Sequence, residues 1–246
     1  MEAVFPRVLT AGEACWVVEF GDSIDMAVNA RVQALRRKIE SAPFPGFIET
    51  VPTYRSLAVC FNPMVSDGEK LKDALLETAQ GLTAEAEAEG ETVLIPVCYE
   101  GELAPDLPRV AEHTGLSEEE VVRRHTANDC YCYMLGFTPG FSYLGGMDPT
   151  LETPRLKEPR EKIPAGSVGI AAKQTGIYPI DSPGGWNLIG RTPLTLFDPD
   201  RPVPIFLNAG MWVRFYPVGP EEFARIKEDA ARPDWKPEMR RREADA

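Results

Sequence analysis

The chain has 246 residues, 43% hydrophobic and 26% charged, enough to bury a sizeable core in one domain or two. Its net charge of −12 and pI near 4.8 exclude nucleic acid as a default partner, because that affinity comes from neutralising phosphates with Lys and Arg. No run approaches the roughly 18–20 apolar residues of a membrane span, the N-terminal MEAVFPRVLTAGEACWVVEF lacks the order of a signal peptide, and five cysteines without a CxxC pair predict reduced thiols and a cytoplasmic location.

In chain order, CWVVEF (15–20) is a short apolar run that predicts a strand. An amphipathic helix follows, with Ile24, Val28, Val32, Leu35 and Ile39 three or four residues apart and Asp22 or Ser23 as N-cap. FPGF breaks the chain before two strands, FIETV (47–51) and SLAVCF (56–61). A second helix is expected over 68–80, and VLIPVCY (93–99) reads as a further strand. The order β-α-β-β-α-β is the ferredoxin-like pattern. The acidic TAEAEAEGE (83–91) is the frayed end of the second helix or a solvated linker, marking the approach to a domain boundary.

Residues 101–129 hold two short helices, the first ended by Gly115 and the second opened by a Ser117/Glu120 capping box. The pair superficially resembles a DNA-binding helix-turn-helix, but Glu118, Glu119 and Glu120 stand where a recognition helix would face phosphates. From Cys130 onward CYCYML, SVGIAA, TGIYPI, WNLIG, LTLF, VPIFL and WVRFY alternate with Gly/Pro turns, which predicts a closed barrel or a sandwich. The expected organisation is an N-terminal α+β domain (1–90), a β-barrel domain (91–225) and a charged tail (226–246), exposed or disordered.

Several chemistries can be set aside. GxxxxGK[ST] and GxGxxG are both absent. AGSVG (165–169) resembles a nucleophile elbow, yet VGIAAKQTGIYPI after the serine reads as strand where the elbow needs a helix. Zinc on Cys130, Cys132 and His125 lacks a clear fourth ligand. What remains is a set of Gly/Pro-rich segments carrying aromatics and cations: GFTPGFSYLGG (136–146), PRLKEPREKIPAGSVG (154–169) with Arg155, Lys157, Arg160 and Lys162, and KQTGIYPIDSPGGW (173–186). Each aromatic alone is more often core and each cation a solvated face. Together, on loops of a rigid barrel, they suit a small-molecule pocket that favours a carboxylate, phosphate or nucleotide.

GFTPGFSYLGGMD, followed by PR…PREKIPAGSVGIAAKQTGIYPIDSPGGWNLIGRTPLTLFDP, resembles the PxpB/KipI family, also called allophanate hydrolase subunit 1 or carboxyltransferase subdomain proteins. FGDSIDMAVNARVQAL and FIETVPTYRSLAVCFNP are similar to the family's N-terminal module, so the likeness spans roughly residues 5 to 220. It implies a small ferredoxin-like α+β domain followed by a cyclophilin-like β-barrel. It also implies a KipA/PxpC-type partner. Members of the family act with PxpC and the LamB/YcsF-like PxpA in ATP-dependent opening of 5-oxoproline, form the carboxyltransferase part of urea carboxylase, or inhibit a sporulation histidine kinase. The first is the expected activity here, with ATP as co-substrate held by or shared with a partner chain and no metal site.

Carried over by position, the resemblance places His125, Gly140, Gln174, Tyr178, Ser182, Gly184, Gly185, Trp186 and Arg191 around a groove. It implies His125 as general acid or base and Arg191 as the group binding a substrate or phosphoryl anion. Gly184 and Gly185 would let backbone N–H groups approach an oxyanion, with Trp186 as the wall. One departure is Gly210-Met211 before the last strand, where relatives often carry Gly-Asp.

Overall fold

The computed structural model describes residues 4–82, 91–232 and 235–241, and its contacts divide the chain into two units, Met1–Ala88 and Glu89–Ala246. In the first unit the elements are β1 (Arg7–Thr10), β2 (Cys15–Glu19), α1 (Met26–Ser41), β3 (Phe47–Pro52), β4 (Ser56–Phe61) and α2 (Gly68–Gln80). The sheet is antiparallel, in the order β1-β2-β4-β3. Strand alternation sends Val18, Leu57 and Val59 to one face, where Val32, Leu35 and Ile39 of α1 and Leu75 and Ala79 of α2 meet them. The cap of α1 is Asp25, whose carboxylate accepts the Val28 N–H at 3.0 Å, rather than Asp22 or Ser23. Ile24 is therefore left outside the helix and exposed.

The ferredoxin-like expectation needs one correction. The sheet edge beside β2 is taken by β1, a strand that no clear apolar run announces, and VLIPVCY goes to the second unit. A tight turn closed by the Ala11 N–H on the Cys15 carbonyl (3.0 Å) joins β1 to β2. Closing so short a loop costs less entropy than recruiting a distant strand. Across the β2–β4 ladder Cys15 and Cys60 face each other as free thiols, Sγ to Sγ 3.2 Å.

The second unit contains β5 (Glu91–Val97), α3 (Leu107–Thr114), α4 (Glu118–His125), β6 (Cys130–Leu135), β7 (Ser142–Gly145), β8 (Arg160–Ile163), β9 (Ser167–Ala171), β10 (Gln174–Ile177), β11 (Ser182–Gly184), β12 (Asn187–Arg191), β13 (Trp212–Pro217), α5 (Pro220–Ala230) and β14 (Met239–Arg241). The main sheet runs β12-β9-β10-β7-β6-β13-β5-β14, with β13 parallel to β5 and the other pairs antiparallel. It closes on itself where the Cys98 N–H donates to the Arg191 carbonyl (2.8 Å) and the Arg191 N–H to that of Cys98 (2.9 Å). Closure removes the open edges of β5 and β12 and makes a barrel. Val93, Ile95, Val97, Leu144, Val168, Ile170, Ile177, Ile189 and Phe215 fill the interior, joined by Val110 and Val121 from the helical pair. Gly115 ends α3 at φ +71°, and the Ser117 hydroxyl accepts the Glu120 N–H to open α4.

One further expectation is corrected. LTLF and VPIFL do not form a ladder but a single bridge, Phe197 to Ile205, because Pro193, Pro199, Pro202 and Pro204 remove donors. The described part of the tail is docked: β14 adds to β5 as an exposed edge strand, Arg240 binds Asp129 at 3.0 Å, and Trp235 stacks on Phe206. The turn before β13 closes without an acid, through the Met211 N–H on the Asn208 carbonyl (3.2 Å). Residues 83–90 of the acidic stretch lie outside the described residues.

Candidate functional site

On β7, β9 and β10 the alternation that sends Leu144, Val168, Ile170 and Ile177 inward leaves Tyr143, Gly169 and Gly176 on the outer face. Gly169 and Gly176 are direct cross-strand partners. The Trp186 indole lies against them: a Cβ added at Gly169 would sit 3.1 Å from Trp186 Cβ, and one at Gly176 would sit 3.0 Å from its Cζ3 and 2.7 Å from the Ser142 carbonyl oxygen. The glycines of SVGIAA and TGIYPI therefore form a floor without side chains, which is why a tryptophan can lie flat on a strand pair.

Aromatic rings wall this floor edge to face. Phe141 is 5.4 Å from Trp186 and 5.1 Å from Tyr178, centroid to centroid. The short β8–β11 ladder brings Gly184 against Tyr178, where any Cβ would collide with the phenol oxygen and with Ile163 Cδ1. Thr138-Pro139-Gly140-Phe141 is a turn closed by the Phe141 N–H on the Thr138 carbonyl (3.0 Å), with Gly140 at φ +81°. That positive φ, with proline before it, is the type II geometry glycine satisfies. Just before the turn Phe137 holds φ +69° and is 62% exposed, a conformation a bulky residue adopts only where its surroundings impose it.

Together Phe137, Phe141, Tyr143, Arg155, Tyr178, Gly184, Gly185 and Trp186 line a cleft of about 100 Å³. The Arg155 guanidinium carbon lies 5.9 Å from the centre of the Trp186 ring. Burial pushes the Tyr178 phenol up to about 12, opposed by a hydrogen bond from the Trp186 backbone and by the charges of Arg155 and Arg160, so the hydroxyl keeps its proton at neutral pH. The cleft thus offers a cation, a phenol and apolar walls of ring size, the elements of a small-ligand site.

Of the residues expected around a groove, Tyr178, Gly184, Gly185 and Trp186 meet here, and Gly140 shapes the adjoining turn. Ser182 is buried on β11, its hydroxyl unpartnered, and Gln174 opens β10; neither lines the cleft. Arg191 stands apart from it: its Nε donates to the Ala165 carbonyl at 3.0 Å, holding the Pro164–Ser167 turn at the barrel closure. The general acid or base role for His125 is corrected. This side chain is 1% exposed, with Nδ1 2.8 Å from the Tyr99 hydroxyl, Nε2 2.8 Å from Thr175 Oγ1, and its ring stacked on Phe215. Burial lowers its pKa to about 3, so it is a neutral core residue bridging two hydroxyls.

Phe137, Phe141, Tyr143 and Arg155 belong to segments whose composition stands out in the sequence, but no role attaches to them there. The usable signal is the period of two in GFSYLGG, which puts Phe141 and Tyr143 on one face. A second, larger opening of about 530 Å³ is lined by Tyr99, Leu107, Val122 and Pro217–Gly219, with Glu100, Glu118 and Glu119 making it acidic.

A closed barrel with an aromatic, singly cationic cleft on its outer face, together with a separate two-layer α+β unit, defines a protein of the carboxyltransferase-subdomain type. The family model described as carboxyltransferase domain, subdomain C and D, matches residues 6–207, and the chain belongs to that family, the PxpB/KipI group its sequence resembles. It is 43% identical over 229 residues to a 5-oxoprolinase subunit of Bacillus subtilis, covering 89% of this chain and 95% of that one. The solved protein TTHA0988 shares 40% identity at a TM-score of 0.75 over 83% of this chain, which spans only 40% of that chain's length. The urea amidolyase of Kluyveromyces lactis, at 21% identity, shares the fold with a TM-score of 0.76 over 98% of this chain and 16% of its own.

Proposed function

We propose that the chain is the PxpB component of an ATP-dependent 5-oxoprolinase, acting in the cytoplasm with a KipA/PxpC-type and a LamB/YcsF-type PxpA component and inactive alone. The observation that carries the reading is the 43% identity to a 5-oxoprolinase subunit across 95% of its length. The reaction consumes 5-oxoproline, ATP and two waters and yields glutamate, ADP and phosphate: the lactam carbonyl oxygen is phosphorylated, one water adds at that carbon as the C–N bond breaks to leave γ-glutamyl phosphate, and a second water cleaves this acyl phosphate to glutamate and phosphate. In this reading the Trp186 cleft holds the ring and excludes water from its faces.

In this reading ATP is held by or shared with the partner chains, and neither opening described above is its site. The Trp186 cleft, at about 100 Å³, is well below the roughly 300–1,000 Å³ usual for larger ligands. The larger opening presents Glu100, Glu118 and Glu119 to what would be a triphosphate. Co-expression with both partner candidates, followed by an assay for 5-oxoproline- and ATP-dependent glutamate release, tests the proposal. Glutamate from the complex and none from this chain alone is expected; an intact complex that releases none sinks it. The kinship with urea amidolyase favours a second reading, the carboxyltransferase part of a biotin-dependent urea carboxylase. Carboxyl transfer from carboxybiotin to urea by the same complex would select it.

A further inference from the structure

The cations of the 154–191 region differ in their partners, and of those without an acid or carbonyl partner among the described residues (Arg155, Lys157 and Lys173) only Arg155 lines the cleft. Arg160 is paired with Asp106 at 2.7 Å, Lys162 with Asp181 at 2.9 Å, and Arg191 is bonded to the Ala165 carbonyl. Arg155 has no carboxylate or carbonyl partner among the described residues and lies over the Trp186 ring instead. It is also the one cation of this group that lines the cleft, and no lining residue is acidic. In a chain of net charge −12 an arginine left without an acid, over a ring it shares with a cavity, is arranged for an anion from outside. A cation–π approach of this kind spends none of the guanidinium N–H groups on an acid. Those groups match the two oxygens of a carboxylate.

We propose that Arg155 is the specificity-determining anion binder of this cleft, taking the carboxylate of a small cyclic acid while Trp186 and Phe137 face its ring. This deepens the oxoprolinase reading by naming the ligand class of the same site, and it rests on that reading only for the choice of 5-oxoproline as first probe. The cleft's volume of about 100 Å³ suits one small ring with its carboxylate. Tyr178, still protonated, supplies a neutral polar group at the same site. The carboxylate, not the ring, is then what separates ligands from neutral lactams.

The test uses the full chain labelled with ¹⁵N, following the Trp186 indole N–H signal, assigned with Trp186→Phe. Probes are L-5-oxoproline, pyrrole-2-carboxylate and the neutral 2-pyrrolidinone. L-5-oxoproline is expected to shift the Trp186 signal, and 2-pyrrolidinone to bind at least about tenfold more weakly. Arg155→Gln should raise the Kd for the acid on the order of tenfold or more, as loss of a charge-assisted hydrogen bond does. Arg155→Lys should fall between, and Lys157→Gln, a neighbouring exposed cation outside the cleft, should change it by less than about twofold. Arg155 is exposed, so the variant should melt as the parent does, which a thermal scan verifies. If pyrrole-2-carboxylate shifts the signal in an Arg155-dependent way and L-5-oxoproline does not, the anion site stands and the oxoprolinase reading falls. If neither acid shifts it, or Arg155→Gln binds as tightly as the parent, the proposal is overturned.

Discussion

Gly176 shows how much of the candidate site depends on an atom that is missing. A methyl group there stands 2.7 Å from the Ser142 carbonyl oxygen and 3.0 Å from the Trp186 ring, so moving the ring relieves only one contact and the β7–β10 pair must shift as well. Gly176→Ala should cost about 1–3 kcal/mol in urea unfolding and abolish ligand-induced shifts of Trp186. Arg191 carries a different expectation from the one its motif suggests. Its bond to Ala165 places it in the scaffold, so Arg191→Ala should lose at most about 1 kcal/mol and leave the Kd of cleft ligands unchanged, as titration would read. His125 sets a pH dependence. It is neutral when folded, with a pKa near 3, while the unfolded chain takes up a proton below about 6.5. Its stabilising contribution is complete above that value and is lost as pH falls toward 3, at about 1.4 kcal/mol per pH unit. Urea titrations from pH 7 to 5 should show this slope in the parent and its loss in His125→Gln.

At the scale of elements, the barrel depends on one junction. β12 reaches β5 through a single pair of backbone hydrogen bonds, and Gly190 makes the approach possible, since a Cβ there would stand 2.5 Å from Val97 Cγ1 and 3.0 Å from the Cys98 carbonyl. Gly190→Ala should therefore destabilise the second unit by about 2–3 kcal/mol, by overpacking against the buried Val97 side chain and the Cys98 carbonyl. Amide exchange should quicken first at Cys98 and Arg191, the residues of the closure. Asp106 supports the same strand from outside: one carboxylate oxygen holds Arg160 and the other accepts the Leu188 N–H at 2.7 Å. It thereby ties the start of α3 to both β8 and β12.

For the whole molecule, the two cores are separate sets of residues. Val18, Leu35, Leu57 and Leu75 belong to one, and Ile95, Leu144, Ile170 and Phe215 to the other. The cleft residues all lie between 137 and 186, within the second unit. Residues 89–246 expressed alone should fold and bind the cleft's ligands with the Kd of the full chain; failure to fold would show that the second core depends on the first. Glutamate release, in contrast, should require the partner chains.

Much of this is written in local pattern. The period of two and the period of 3.6 mark nearly every strand and helix, because each element needs one apolar face and announces it in sequence. Glycine and proline mark the turns, and the resemblance carried by the Gly-rich segments groups Tyr178, Gly184, Gly185 and Trp186, along with residues the fold places elsewhere. Tertiary structure alone decides the rest, since it turns on which strands meet. β1 rather than VLIPVCY completes the first sheet, and His125, a polar residue at the end of a charged helix, is buried between Tyr99 and Thr175. Arg191 is committed to a turn and Arg155 is left without an acid. An arginine's role follows from which acid or carbonyl lies within hydrogen-bonding distance, and that neighbour comes from strands remote in sequence, beyond the reach of any local period.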